Sequence, residues 1–96
     1  MDKMYFSSND DISVYYARNT EEGKALWDKS TELYEAEQKA EIAVLEWEEE
    51  HDAEAPFEMY QAMFDAQKAN KAAYMEFETA WKAWASANHE WIEMID

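Results

Sequence analysis

Two histidines with acidic neighbours are the residues whose spacing could hold a metal ion. Glu48 and His51 are three positions apart, the spacing by which a helix offers a carboxylate and an imidazole to a carboxylate-bridged metal pair. His89 is followed by Glu90 and, four positions on, by Glu93, where the zinc-protease pattern His-Glu-x-x-His requires a second histidine. One half-site and one near match do not make a metal centre, so the sequence predicts no metal site.

Nucleophilic and acid–base catalysis have no better support. The chain has no cysteine, and therefore no thiolate nucleophile and no cysteine-based zinc site. Ser7, Ser8 and Ser13 have no histidine at a spacing that indicates a catalytic pair. A single glycine and a single proline exclude the glycine-rich phosphate loops of a Rossmann unit or a P-loop. We therefore predict that the chain is not an enzyme, has no catalytic residues and needs no cofactor.

Strong negative charge is the dominant property of the 96-residue chain. Its 23 acidic residues outnumber 8 lysines and arginines, which gives a net charge of −15. This charge excludes direct binding to DNA, RNA or an anionic membrane as the main activity, because like charges repel. Charged residues near the start, Asp2 and Lys3, stand where a signal peptide needs an apolar run, and no stretch reaches the apolar length of a membrane span. We therefore expect a cytoplasmic protein.

Acidic residues concentrate in segment 20–52, which carries 12 of them against three lysines. In a helix that rises about 1.5 Å per residue, they supply one carboxylate per ~4 Å, close to the ~3.4 Å charge spacing of one DNA strand. Glu37, Glu41 and Glu48 are predicted to form one row. A second row on the far side consists of Asp28, Glu32, Glu35, Glu46 and Glu50. The predicted partner-binding residues are Glu32, Glu35, Glu37, Glu41, Glu46, Glu48, Glu49, Glu50 and Asp52.

Two explanations of these acidic rows stay open. A solvated face that only keeps the protein soluble is the ordinary explanation of a charge run. However, Glu37 and Glu41, like Glu46 and Glu50, are like charges one turn apart, and each such pair destabilises a helix by about 0.2–0.5 kcal/mol. Interspersed lysines would give solubility without this repulsion. The sequence therefore favours a face that binds a basic partner.

In size, charge and lack of catalytic motifs, the chain is similar to the small acidic DNA-mimic inhibitors of phages and mobile elements. Those inhibitors act in anti-defence by occupying the nucleic-acid channel of restriction, CRISPR or recombination nucleases. The similarity implies a basic nucleic-acid-binding protein as partner, without direct binding to nucleic acid or membrane. It also implies the host cytosol as the place of action if the protein is phage-encoded.

Two other classes of protein fit the same composition. An immunity protein, an antitoxin or an acidic secretion chaperone would bind one cognate partner, through an apolar groove as much as through charge. A structural helical homo-oligomer would need no partner, and a homodimer is an alternative way to bury the 15 aromatic residues. The salt dependence of binding distinguishes the charge-driven inhibitor from these two classes, because carboxylate-dominated binding weakens steeply as ionic strength rises.

The elements that must position these residues are predicted to form one domain of mainly α class, or α+β if an N-terminal hairpin forms. Residues 1–19 combine two β-prone runs around a polar cluster, which indicates a short β-hairpin or an extended arm. Residues 20–51 form the acidic helix 1, with Thr20 as its N-cap. Its apolar stripe is broad, because a strip containing Tyr34 and Leu45 runs beside the main one.

A turn over 52–56, ending at Pro56, leads into the aromatic-rich helix 2 over 56–94. A kinked continuous helix is the alternative at this point. Helix 2 carries a heptad seam of Tyr60, Met63, Gln67, Asn70, Tyr74, Phe77, Trp81, Trp84, Asn88, Trp91 and Ile95. Folding the chain back gives an antiparallel two-helix hairpin with Trp47 opposite Tyr60. The N-terminal segment should then pack on the C-terminal end of helix 2.

Overall fold

The computed structural model describes residues 2–95, and helices account for 81% of them. In chain order it has strand β1 (Met4–Phe6), helices α1 (Asn9–Asn19), α2 (Glu21–His51) and α3 (Phe57–Ala87), a 3₁₀ turn (His89–Trp91) and strand β2 (Ile92–Met94). The predicted mainly helical class is confirmed. The predicted two-helix hairpin is wrong, because this part of the chain has three α-helices and a parallel two-stranded sheet. Within it, no helix is long and apolar enough to cross a bilayer.

The chain divides into two compact units. The terminal unit combines the residues up to Asp28 with those from Met75 onward, and the central unit is Lys29–Tyr74. Helices α2 and α3 each contribute residues to both units. All nine predicted partner-binding residues belong to the central unit.

The N-terminal segment, predicted as a β-hairpin or an arm, contains helix α1 instead of a second strand. The polar cluster that suggested a turn starts this helix, because the Ser8 hydroxyl accepts a hydrogen bond from the Asp11 backbone N–H at 3.2 Å. Ile12 and Tyr16 are 4% and 2% exposed, whereas Val14 between them is 43% exposed. Burial at every fourth residue is helical, so the apparent alternation of a strand was one buried helix face.

The two short strands pair in parallel, although they lie at opposite ends of the sequence. Met4 lies opposite Ile92 and Phe6 opposite Met94, and the Ile95 N–H donates to the Phe6 carbonyl at 2.8 Å. Parallel strands need a long crossover between them, which here is the whole helical part of the chain. No local turn pattern in the sequence indicates the pairing of such distant strands, and the sequence analysis therefore did not predict this sheet.

Helix α3 ends at Ala87, seven residues before the predicted end at position 94. Asn88 ends it, because its backbone N–H and its side-chain amide both donate to the Trp84 carbonyl, at 3.0 and 2.8 Å. An asparagine side chain that binds a helix carbonyl competes with the backbone of the next turn. The heptad pattern runs on through Trp91 and Ile95 in the sequence, but the chain leaves the helix before reaching them.

Gly23 lies at the close junction of α1 and α2. Thr20 caps α2 as predicted, since its Oγ1 accepts from the Gly23 N–H at 2.9 Å and donates to the Tyr16 carbonyl at 2.8 Å. A Cβ on Gly23 would lie 2.2 Å from that Tyr16 oxygen. The junction therefore needs a glycine, even though glycine is a poor residue for a helix.

A small aromatic core holds the terminal unit together. Tyr16 and Phe77 are each 2% exposed, and their ring centroids are 6.0 Å apart. Ala17 completes the buried cluster, and half-buried side chains pack around it: Leu26, Ala80, Trp81 and Trp84. The N-terminal segment thus packs on the last turns of α3, as a helix.

Replacing Gly23 with alanine should destabilise the protein, although alanine is the better helix former by about 1 kcal/mol. The new Cβ would overlap the Tyr16 carbonyl, so we expect the free energy of unfolding to fall by about 1–3 kcal/mol. Urea denaturation measures this change. Ala25→Gly, at an exposed position of the same helix, is the control and should cost about 1 kcal/mol from propensity alone. A stabilised Gly23→Ala variant would contradict the close junction.

Phe77→Ala should lower the free energy of unfolding by about 3–5 kcal/mol, because it removes a buried ring from the core. Phe64→Ala is the matched control on the same helix; its ring is 52% exposed, and we expect a loss below about 1 kcal/mol. Trp81 and Trp84 are half-buried, so alanine at either position should cost less than at Phe77. Equal losses for the two phenylalanine variants would be inconsistent with this core.

Candidate functional site

The first predicted acidic row faces helix α3 within the central unit. Its three carboxylates are half-buried, and each accepts a hydrogen bond from a neutral side chain of α3. We call these bonds the polar ladder; its pairs are Glu37 with Asn70, Glu41 with Gln67 and Glu48 with Tyr60. Buried polar groups need such partners, so the ladder explains why charged and amide residues occupy an otherwise apolar face.

The polar ladder also gives the register of the two helices in the central unit. Its pairs run in opposite directions along the chain, so α2 and α3 are antiparallel there. The sequence put Trp47 opposite Tyr60, and the observed pair of Glu48 with Tyr60 differs by one residue. Asn70, a polar position of the predicted heptad seam, forms one of these bonds.

Glu48 additionally ties the loop after α2 to helix α3. Its Oε2 accepts from the Ala55 backbone N–H at 3.1 Å as well as from the Tyr60 hydroxyl. The hydroxyl bond, and then the backbone bond, lower the pKa of Glu48, and the same hydroxyl bond raises the pKa of Tyr60. In this loop Asp52 has a positive φ of 49°, a left-handed conformation that aspartate tolerates better than most residues. Glu48 is therefore ionised, and its hydrogen bonds fix the loop in which the chain reverses direction.

The other six predicted binding residues are exposed. Glu46 lies nine positions after Glu37, which is two and a half turns, and therefore on the opposite side of α2. We call this group the outer acidic face; it consists of Glu32, Glu35, Glu46, Glu49, Glu50 and Asp52. The structure thus divides the nine predicted residues into six that face solvent and three that are held against α3.

The two histidines are engaged with backbone rather than with each other. His51 Nδ1 lies 2.8 Å from the Trp47 carbonyl oxygen, and its ring stacks on the Trp47 indole at 4.0 Å between centroids. His89 Nδ1 lies 3.0 Å from the Ser86 carbonyl oxygen. In residues 2–95 no three histidine, aspartate or glutamate side chains converge as a metal site would require.

An apolar groove in the central unit was not predicted. It has a volume of about 330 Å³ and is lined by Glu41, Val44, Leu45, Glu48, Tyr60 and Met63. Leu45 on its edge is 64% exposed, and Phe64, whose ring centroid lies 6.3 Å from that of Tyr60, is 52% exposed. In the sequence, the apolar strip through Tyr34 and Leu45 indicated this groove. Phe64 lies outside the heptad seam, so no sequence pattern indicated that it borders the groove.

Comparison with known proteins adds no further constraint on this site. No protein-family model, curated protein or solved structure shows significant similarity to the chain. The function must therefore be argued from the outer acidic face and the groove themselves.

Tyr60→Phe should destabilise the protein at neutral pH and have a smaller effect in acid. The change removes the hydroxyl that lowers the pKa of Glu48. A carboxyl whose pKa is lower in the folded chain stabilises it above the unfolded pKa, and this contribution is lost as the pH falls through the folded pKa. The difference in urea midpoint between wild type and variant should therefore be larger at neutral pH than near about pH 3. Tyr74→Phe, at an exposed tyrosine of the same helix, is the control and should show no such pH dependence.

Proposed function

We propose that the protein is an acidic inhibitor that occupies the basic nucleic-acid groove of a nuclease or another nucleic-acid-binding protein. The observation that carries this proposal is the outer acidic face, six exposed carboxylates on one helix and the turn after it. The net charge of −15 adds a long-range attraction to any basic groove. The function is a competition in which the partner loses access to its nucleic acid.

The spacing of the outer acidic face supports this mimicry. Glu32 and Glu46, like Glu35 and Glu49, are fourteen residues apart on one helix, which is about 21 Å at 1.5 Å per residue. One DNA strand places about six phosphates along that length. The face therefore offers carboxylates to lysines and arginines that are arranged to follow a phosphate backbone.

Side chains between these acidic groups give the face more than charge. Ile42 is 50% exposed, and it lies one turn from Glu46 on the same side of α2. An exposed apolar residue beside charged ones is the arrangement of an interface centre with a polar rim. Lys39 is also exposed on this side, so a partner must leave room for one positive charge there.

The polar ladder changes which carboxylates are proposed to bind. Glu37, Glu41 and Glu48 hold α2 against α3, so their replacement would test the stability of the central unit rather than partner binding. The proposed binding residues are therefore the six exposed ones. Their replacement by glutamine removes charge without removing a hydrogen bond that the structure shows.

The test uses the triple variant Glu46→Gln, Glu49→Gln, Glu50→Gln. Its charge-matched control is Asp2→Asn, Glu58→Gln, Glu90→Gln, at exposed carboxylates outside α2. Partners are captured from host lysate on the immobilised wild-type chain, and each partner is then assayed for displacement of its nucleic acid at two salt concentrations. We expect the α2 triple to weaken displacement about tenfold or more, the control to weaken it much less, and higher salt to weaken the wild type.

Two results would refute the proposal. Equal effects of both triples together with no salt dependence would show that the charge serves solubility alone. A partner that binds the chain and its nucleic acid at the same time would show that the chain is not a competitor.

A further inference from the structure

In the central unit, large apolar side chains border the groove, whereas the buried side chains are small. The buried side chains of this unit are small: Ser30, Val44, Ala55 and Ala73. Large side chains remain half exposed beside them. We call these the groove residues; they are Tyr34, Leu45, Tyr60, Met63, Phe64 and Tyr74. Clustered exposed apolar side chains of this kind mark a binding surface more often than a plain surface.

The groove residues lie along one side of the helix pair. Leu45, Met63 and Tyr60 border the same cavity, and Phe64 packs on Tyr60. Tyr34 lies eleven residues before Leu45, close to three full turns, and so on the same side of α2. From Leu45 at the groove to Tyr34, this strip on α2 is about 16 Å long at 1.5 Å per residue, which equals three turns of an incoming helix.

The terminal unit shows how such a surface is covered in this fold. There the ends of α2 and α3 are covered by a third helix, α1, whose Tyr16 and Ala17 are buried against Phe77, with Leu26 and Trp81 packed around them. The central unit itself, residues 29–74, contains parts of these same two helices and their loop, with no third helix. A helix is therefore the element that fits the groove.

Charge decides which helix can bind. Glu41 and Glu48 line the groove, and the hydrogen bonds that the structure shows for them come from neutral groups: the Gln67 amide, the Tyr60 hydroxyl and the Ala55 N–H. These contacts leave both negative charges uncompensated. A second copy of the chain would bring another net charge of −15 to the same place, which disfavours it.

We propose that the groove binds a cationic amphipathic helix of a protein partner, with apolar side chains at i, i+4, i+7 and i+11 and lysine or arginine beside them. The apolar side chains would lie between Leu45 and Phe64 and along the strip to Tyr34, as in other helix-in-groove complexes. The cations would pair with Glu41 and Glu48. Apart from Glu49, which is one turn after Leu45, the outer acidic face lies on another side of α2, so the proposal stands whether or not the chain competes with nucleic acid.

A synthetic peptide of about 18 residues, long enough to form a helix on binding, is the probe. It carries leucines at the four stated positions, lysines on both flanks and alanine elsewhere. One control peptide replaces the lysines with glutamates, and a second keeps the lysines but replaces the leucines with serines. Calorimetry gives the dissociation constant, and NMR shifts of backbone amides show where each peptide binds.

The full-length chain is compared with three variants. Leu45→Ser with Phe64→Ser removes two exposed apolar side chains and should weaken binding of the lysine–leucine peptide about tenfold or more. Val14→Ser, at an exposed apolar position of α1 in the terminal unit, should change the constant by less than about twofold. The triple Glu32→Gln, Glu46→Gln, Glu50→Gln, at exposed carboxylates on another side of α2, should change it by less than about threefold, because those charges act on the groove only through screened solvent.

Support requires that the lysine–leucine peptide binds tightest, shifts amides around the groove and loses affinity in the double variant alone. Equal binding of the glutamate peptide would overturn the choice of a cationic partner. Equal binding of the serine peptide would show nonspecific charge attraction and overturn the site. Equal effects of Val14→Ser and the double variant would also overturn the site. A wild-type dimer in sedimentation that the double variant abolishes would show that a second copy occupies the groove, and would also overturn the proposal.

Discussion

The register of α2 and α3 in the central unit depends on the polar ladder. Three carboxylates of α2 accept hydrogen bonds from neutral side chains of α3, while the buried side chains beside them are small. Hydrogen bonds to an ionised acceptor are stronger than neutral ones and have a preferred geometry, so the ladder fixes the register of the two helices. It also uses three of the acidic residues for structure, which leaves the opposite side of α2 for a partner.

The two long helices were predictable because they depend on local properties. Thr20 caps α2, glycine and proline are absent through most of both helices, and the apolar spacing of α3 indicates which residues face α2. The division of the acidic residues was less predictable. A helical wheel aligns Glu37, Glu41 and Glu48, but it does not show that amide and hydroxyl donors on the other helix bind them.

The N-terminal segment and the end of α3 were mispredicted for a common reason. Short segments have weak local preferences, and tertiary contacts decide their structure. Ile12, Val14 and Tyr16 fit a strand by alternation, yet Ile12 and Tyr16 are also one helical turn apart, and packing of Tyr16 on Phe77 selects the helix. Beyond Asn88, pairing with β1 replaces a helix that the heptad pattern alone would continue.

The pairing of β1 with β2 has a consequence for the order of folding. Met4 and Ile92 are 88 positions apart, so this contact closes nearly the longest loop that the chain can form, and its entropic cost is among the largest in the molecule. Helix contacts are local and form on shorter timescales. The two strands should therefore join last, after the helices have brought them together. With three residues each, they should also be the first to open in native-state fluctuations.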